Sequence, residues 1–460
     1  MRQRSFLLAK EGYNEERAFH PYVHVAFPGS LCGLRRRKKV SGAADASVPE
    51  QKEDTVPAGN PDWPDGTSED LSQYDAAKFG PADYIVPVWD DGGIARSETV
   101  FILQEKDGSI APISLLYPAK QIVSVYSYGL DIRYEEGRDY SLTKDGKLQV
   151  AADGAIPAIA HEAFYLPVYD PSNPANMPEI YGTGAQLYTE AIKEGETRSL
   201  GMTRWQVRVT YRHSARWNGG VPANQSADLK RTNGILNDTD KAGTLKIACL
   251  GDSITQGWTA SGYENVDIAP HMPPYVELFK TGLQNRYKKA KIELRNFSIA
   301  GKTTRWPLFE EDGIVNFQSL LAYKPDLVLV AFGMNDGTGI EPKDFSDNIE
   351  AIVKQILAAR SDTEIVLVSS MLPNQEIRTN WGDGAPICRY QPSFKSVLER
   401  IAAEFRDQGK AVVHADVQSV FQHLLQTKRF QDITSNNTNH PNDYMQRVYA
   451  QVLLQTVAGF

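Results

Sequence analysis

Five short apolar runs between residues 245 and 414, each followed by a helix-length segment, constrain this chain more than any other feature. They lie at 245–250, 292–297, 327–332, 365–368 and 411–414. Runs of this kind are what strands buried on both faces look like, and their alternation with helical segments implies a parallel sheet covered by helices. Between 344 and 359, Ile349, Ile352, Ile356 and Leu357 recur near helical spacing and predict one such covering helix. This half is expected to be an α/β domain over residues 244–460.

At 460 residues the chain exceeds what one hydrophobic core usually supports, so a second domain is expected. Upstream, short β-prone runs at 84–88, 100–103, 122–126 and 205–211 are separated by turn signals, with Asp107-Gly108 and Asp145-Gly146 as hairpin candidates. An all-β sandwich over 69–215 follows. It carries no paired acids, metal spacing or glycine cradle, which leaves a sugar-binding or lid module and a plain packing module as its two readings. Residues 216–243 hold Asn218-Gly219-Gly220 and Asn237-Asp238-Thr239 and are expected to be a linker. Residues 1–68 lack periodic apolar pattern and are expected to be a disordered leader, in which the basic run 35–39 is a solvated charge cluster.

Composition closes off several functions. A net charge of -8 spread over this length offers no electrostatic reason to bind nucleic acid. No apolar run reaches the roughly 18 residues of a membrane span, so no membrane partner is expected. Three cysteines, Cys32, Cys249 and Cys388, cannot build a disulfide framework, and residues 6–9 are too short for a secretory core. A cytoplasmic location is the expectation. His271, His414 and His423 lack ligand-type neighbours, and no phosphate cradle is followed by Lys and Ser/Thr, so neither a metal nor a nucleotide cofactor is implied.

In a parallel sheet of this kind the residues after each strand meet at one rim. After the first run, Gly251-Asp252-Ser253-Ile254-Thr255-Gln256-Gly257 places a serine on a glycine-flanked turn where strand gives way to helix. Such a hydroxyl is a poor nucleophile until a proton acceptor is supplied. Near the carboxyl end, His440 lies in the polar loop Asn436-Asn437-Thr438-Asn439-His440-Pro441 ahead of a helical segment, and imidazole titrates near neutral pH.

In these blocks the chain resembles the SGNH (GDSL-like) hydrolase superfamily, over residues 246–460. The resemblance implies a three-layer α/β/α, flavodoxin-like domain, carboxylic ester hydrolysis, Ser253 as nucleophile and His440 as its base. Asn296-Phe297-Ser298-Ile299-Ala300-Gly301 is similar to the family's second block, and Gly333-Met334-Asn335-Asp336 to its third. The Ser253 and Gly301 amides and the Asn335 side chain then form the oxyanion hole, with Asp252 bracing the turn. The fourth block departs: where the family has Asp-x-x-His, this chain has Asn437-Thr438-Asn439-His440. Three readings follow. Asn437 or a main-chain carbonyl orients His440, another acid such as Asp432 does so, or the enzyme is inactive.

Trp258, Trp306 and Trp381 follow strands one, two and four, with Tyr263 and Tyr390 nearby, and are candidates to stack on sugar rings. The expected activity is removal of short acyl groups, acetyl foremost, from a small-molecule or oligosaccharide ester. A lipase-like or lysophospholipase-like acylhydrolase and a non-catalytic carbohydrate-binding protein are the alternatives. No motif speaks to oligomeric state.

Overall fold

The five apolar runs become the five strands of one parallel sheet in the computed structural model, which describes residues 70–165, 201–238, 240–263, 268–377 and 388–460. These are β7 (Thr244–Gly251), β8 (Lys291–Asn296), β9 (Leu327–Ala331), β10 (Glu364–Val368) and β11 (Val412–Ala415), in the spatial order β11-β10-β9-β7-β8. All the pairings are parallel, and every residue of β9, β10 and β11 is buried. One face packs under the helices Tyr275–Arg286 and Asp443–Ala458, and the other under Glu311–Tyr323, Pro342–Ala359 and Gln391–Asp407, giving two apolar cores and three layers. The expected helix at 344–359 is Pro342–Ala359, which buries Phe345, Ile349, Ile352, Val353 and Ile356.

The order of strands reverses at β7, whose neighbours β8 and β9 both follow it in sequence. Loops leaving the carboxyl ends on either side of such a reversal diverge and leave a crevice between them. The serine turn after β7 opens at this place.

Upstream, β1 (Ile94–Phe101), β2 (Ala119–Ser127), β3 (Arg133–Tyr134) and β6 (Gln206–His213) form an antiparallel sheet in the order β1-β6-β2-β3. The hairpin of β4 (Tyr140–Leu142) and β5 (Leu148–Val150) turns at Asp145-Gly146, and its Tyr140, Leu148 and Val150 share one apolar core with Val125, Val207, Val209 and Tyr211 of the larger sheet. All of these elements belong to the compact unit Gly59–Phe460.

Two expected features differ. The run 84–88 is not a strand: it begins in the last residue of the short helix Pro81–Tyr84, and its backbone is taken up by side chains of the last helix. Gln451 donates to the carbonyls of Tyr84 and Val86 and accepts from Val88 N–H, while Arg447 donates to the Tyr84 carbonyl. Pro87, lacking an N–H, suits an irregular segment held in this way. The stretch 216–243, expected to be a linker, contains the helix Lys230–Asn237, with Leu229 and Leu236 in the core of the parallel-sheet half. Glu364 anchors that helix by accepting from the Arg231 and Thr232 N–H groups. The leader at 1–68 lies outside the described residues, as does Trp381. Among the described residues no helix is long and apolar enough to cross a membrane.

Candidate active site

Ser253 is the first residue of the short helix Ser253–Gln256 that follows β7 directly. Asp252 caps the helix, its carboxylate accepting from Ile254 N–H at 3.0 Å. Burial pushes the Asp252 carboxyl up to about 7. The helix ends at Gly257, whose φ of 114° suits glycine and whose hydrogen faces Pro274 where a Cβ would lie 2.4 Å from Cγ. These constraints fix a tight turn that aims the Ser253 hydroxyl across the crevice. By its place at the first helical position, the Ser253 N–H has no intrahelical acceptor.

The second and third blocks are tied to each other. Asn335 donates from Nδ2 to the Lys302 carbonyl at 3.0 Å, and Asp336 accepts from both the N–H and the hydroxyl of Thr304. Gly301, at φ 75°, is exposed and has open space beside its Cα. Burial raises the Asp336 carboxyl to about 6.

His440 reaches the serine from the opposite end of the chain. Its Nε2 lies 2.8 Å from Ser253 Oγ. Burial lowers its ring to about 4. The loop that presents it is closed by a bridge between Thr434 and Pro441, by Ser435 N–H and the Thr434 hydroxyl donating to the His440 carbonyl, and by the Thr259 hydroxyl donating to the Pro441 carbonyl.

The orienting residue is not the expected one. Asn437 is fully buried at φ 59°, a conformation asparagine tolerates, and its Oδ1 accepts from Asn374 Nδ2 at 3.0 Å and Gln431 Nε2 at 2.9 Å. The side chain at His440 Nδ1 is Asn436, whose Nδ2 stands 3.0 Å away. Asp432 does not substitute either. Its carboxylate accepts from the Phe101 and Arg429 N–H groups and from the Arg429 guanidinium, which commits it to the edge of β1. Sequence spacing missed Asn436 because four consecutive loop positions carry Asn or Thr, and only the turn decides which of them faces the ring.

The tryptophans separate. Trp258 is half-buried and lies parallel to His440, with ring centroids 6.3 Å apart and planes 25° apart. Trp306, expected at the rim, is a core residue: its ring is buried among Phe317, Leu320 and Phe345, and its indole N–H donates to Asp312. Among the described residues, no group of three or more His, Cys, Asp or Glu side chains is placed to hold a metal ion.

The polar loop also leans on the antiparallel sheet. Gln206 on β6 donates to the Gln431 and Thr434 carbonyls, and Asn442 Nδ2 donates to the Thr99 hydroxyl, Gln206 Oε1 and the Asp432 carbonyl. Lys428 pairs with Glu98, both out of contact with solvent.

Residues 249–448 match the model of the GDSL-like lipase/acylhydrolase family. Among solved structures, the chain is similar to a two-domain esterase active on acetylated mannans, co-crystallised with mannopentaose, at 20% identity and a TM-score of 0.37. That alignment covers 51% of this chain and 54% of the other, about half its length. It is also similar to an acetylxylan esterase from Geobacillus stearothermophilus, at 21% identity over 47% of this chain and 96% of that one, with a TM-score of 0.37. An α/β hydrolase enzyme from the metagenome of Lake Arreo, Spain, aligns at 20% identity over 49% of this chain and 99% of its own, again with a TM-score of 0.37. No curated protein matches the chain. Over residues 249–448, then, the chain is similar to the GDSL-like lipase/acylhydrolase family.

Proposed function

We propose that the chain is a serine esterase that removes short acyl groups, acetyl foremost, from a carbohydrate, with Ser253 as nucleophile and His440 as general base. The observation that carries this reading is the 2.8 Å contact between Ser253 Oγ and His440 Nε2 at the mouth of the crevice beside β7.

In the proposed reaction the Ser253 oxygen attacks the ester carbonyl as its proton passes to His440 Nε2. The tetrahedral intermediate collapses, the carbon–oxygen bond to the sugar breaks, and the leaving alcohol takes the proton back from Nε2. Water then gives a proton to Nε2 and its oxygen attacks the acyl-enzyme, releasing the carboxylic acid and restoring the Ser253 hydroxyl. The Ser253 and Gly301 N–H groups and Asn335 Nδ2 take the oxyanion role. Their charge complementarity is realised only when the carbonyl oxygen becomes negative, so they lower the barrier without tightening ground-state binding. The tie between Asn335 and Lys302 supports this by joining the Gly301 and Asn335 loops.

The substrate side of the reading rests on Trp258. A flat, half-buried aromatic face beside the base suits the apolar face of a pyranose ring, and Asn439, half-buried in the same loop, adds polar character. Acetate release from acetylated oligosaccharides, compared with hydrolysis of acetyl and long-chain nitrophenyl esters, tests it. Wild type should prefer the acetyl esters and Ser253→Ala should abolish turnover. Full rate in Ser253→Ala would overturn the mechanism, and preference for long chains would reassign the substrate to lipids.

A further inference from the structure

We propose that Asn436 clamps His440 in the tautomer that donates a hydrogen bond to Ser253, so that the pair rests in a state unable to take the serine proton. The inference builds on the reading of Ser253 and His440 as the reacting pair.

The orientation of the Asn436 amide is decided by what surrounds it. Its Oδ1 accepts from the backbone N–H groups of Thr438 at 3.0 Å, Asn439 at 3.1 Å and His440 at 3.1 Å. Turning the amide end for end would aim its NH2 group at three N–H donors, so the oxygen must occupy that side. The Nδ2 group therefore faces the other way, toward Asn439 Oδ1 at 3.1 Å and His440 Nδ1 at 3.0 Å. An amide NH2 only donates, so Nδ1 accepts and carries no proton. In the neutral ring the proton then sits on Nε2, and the contact to Ser253 Oγ runs from Nε2–H to the hydroxyl oxygen.

A general base needs the reverse arrangement, with a lone pair on Nε2 and the ring proton on Nδ1. Reaching it moves one proton from Nε2 to Nδ1 through solvent and leaves the ring charge unchanged, but it sets Nδ1–H against the Asn436 NH2 group. The imidazolium formed when Ser253 attacks meets the same clash, and the lowering of the ring to about 4 by burial acts in the same direction. Asn436 is thus a positioning residue that holds the reaction back. An aspartate at this position would keep one oxygen on the three N–H donors, which favour its ionised form, and offer the second to Nδ1–H, with the Asn439 amide turning to donate instead.

The test is the 15N spectrum of the histidine ring in the full chain, with His440 assigned by its loss in His440→Gln, read beside acetate release. Wild type should show the His440 proton on Nε2. Asn436→Asp should move it to Nδ1 and raise turnover by roughly 10²- to 10⁴-fold, because an asparagine that sets the wrong histidine tautomer costs about 10⁴ in kcat in serine hydrolases. A wild-type ring protonated on Nδ1 overturns the clamp, as does an unchanged tautomer in cooperatively folded Asn436→Asp. If the tautomer switches but no ester is cleaved, or if Ser253→Ala leaves the rate of Asn436→Asp intact, the clamp stands and the Ser253–His440 esterase reading fails.

Discussion

The guanidinium of Arg208 on β6 pairs with the carboxylate of Asp443, three residues beyond His440, and both side chains are completely excluded from solvent. Arg208 also donates from Nε to the Tyr128 carbonyl, and Asp443 accepts from Ser261 N–H in the loop that follows the Ser253 helix. One ion pair therefore links the antiparallel sheet, the segment after the nucleophile and the helix that follows the histidine loop. This relationship makes the antiparallel half a brace for His440 and favours a packing role for it over a separate ligand module.

Arg208→Met should leave the Asp443 charge buried without its partner. The expected loss is about 3–5 kcal/mol of stability, the usual cost of removing one member of a buried pair. Urea unfolding measures it. Ester turnover in the remaining folded protein should also fall, since the segments bearing Ser253 and His440 both lose a shared anchor.

Asn335→Ala should lower kcat by roughly 10²- to 10³-fold with little change in KM, the signature of a donor used only when the oxyanion forms. Steady-state kinetics on an acetyl ester measures the split. A rise in KM with kcat intact would instead mark Asn335 as a ground-state binding residue.

Asn437→Asp, the change that restores the family's acid at its usual spacing, should bring no gain in turnover. Its Oδ1 is held by Asn374 and Gln431, away from the His440 ring, whereas Asn436 occupies Nδ1. Comparing kcat for Asn437→Asp and Asn436→Asp decides between the two positions.

The pH dependence follows from the lowered His440 value of about 4. The ring is neutral above that value, so kcat/KM should rise as pH passes upward through about 4 and stay level through neutrality. In the unfolded chain the ring titrates near 6.5. On acidification below about 6.5 the unfolded state therefore takes up the proton first, and stability should fall until about 4, where the folded state is also protonated. His440→Gln should remove this part of the stability profile in urea titrations between those limits.

The chain's apolar runs and glycine turns suffice to place the parallel sheet, a covering helix over 344–359 and the serine at a strand-to-helix turn, because strand burial and turn conformation are local demands that the residues themselves meet. Position in that pattern also brings Ser253, Gly301 and Asn335 to one rim, since parallel strands all end on the same side. Local pattern failed at 84–88, where a β-prone run is held by Gln451 and Arg447 from the far end of the chain instead of by another strand. It failed again at Trp306, whose ring turns into the core, and at Asn437, where the loop's left-handed turn sends the side chain away from the imidazole. Which amide faces His440 and which way that amide points are set by the turn of the 436–440 loop and the N–H groups it gathers, and that a buried arginine on β6 steadies the loop is a matter of a contact between residues 235 positions apart. Only the folded chain settles them, because a hydrogen bond's direction depends on every donor gathered around the acceptor and not on the order of residues along the backbone.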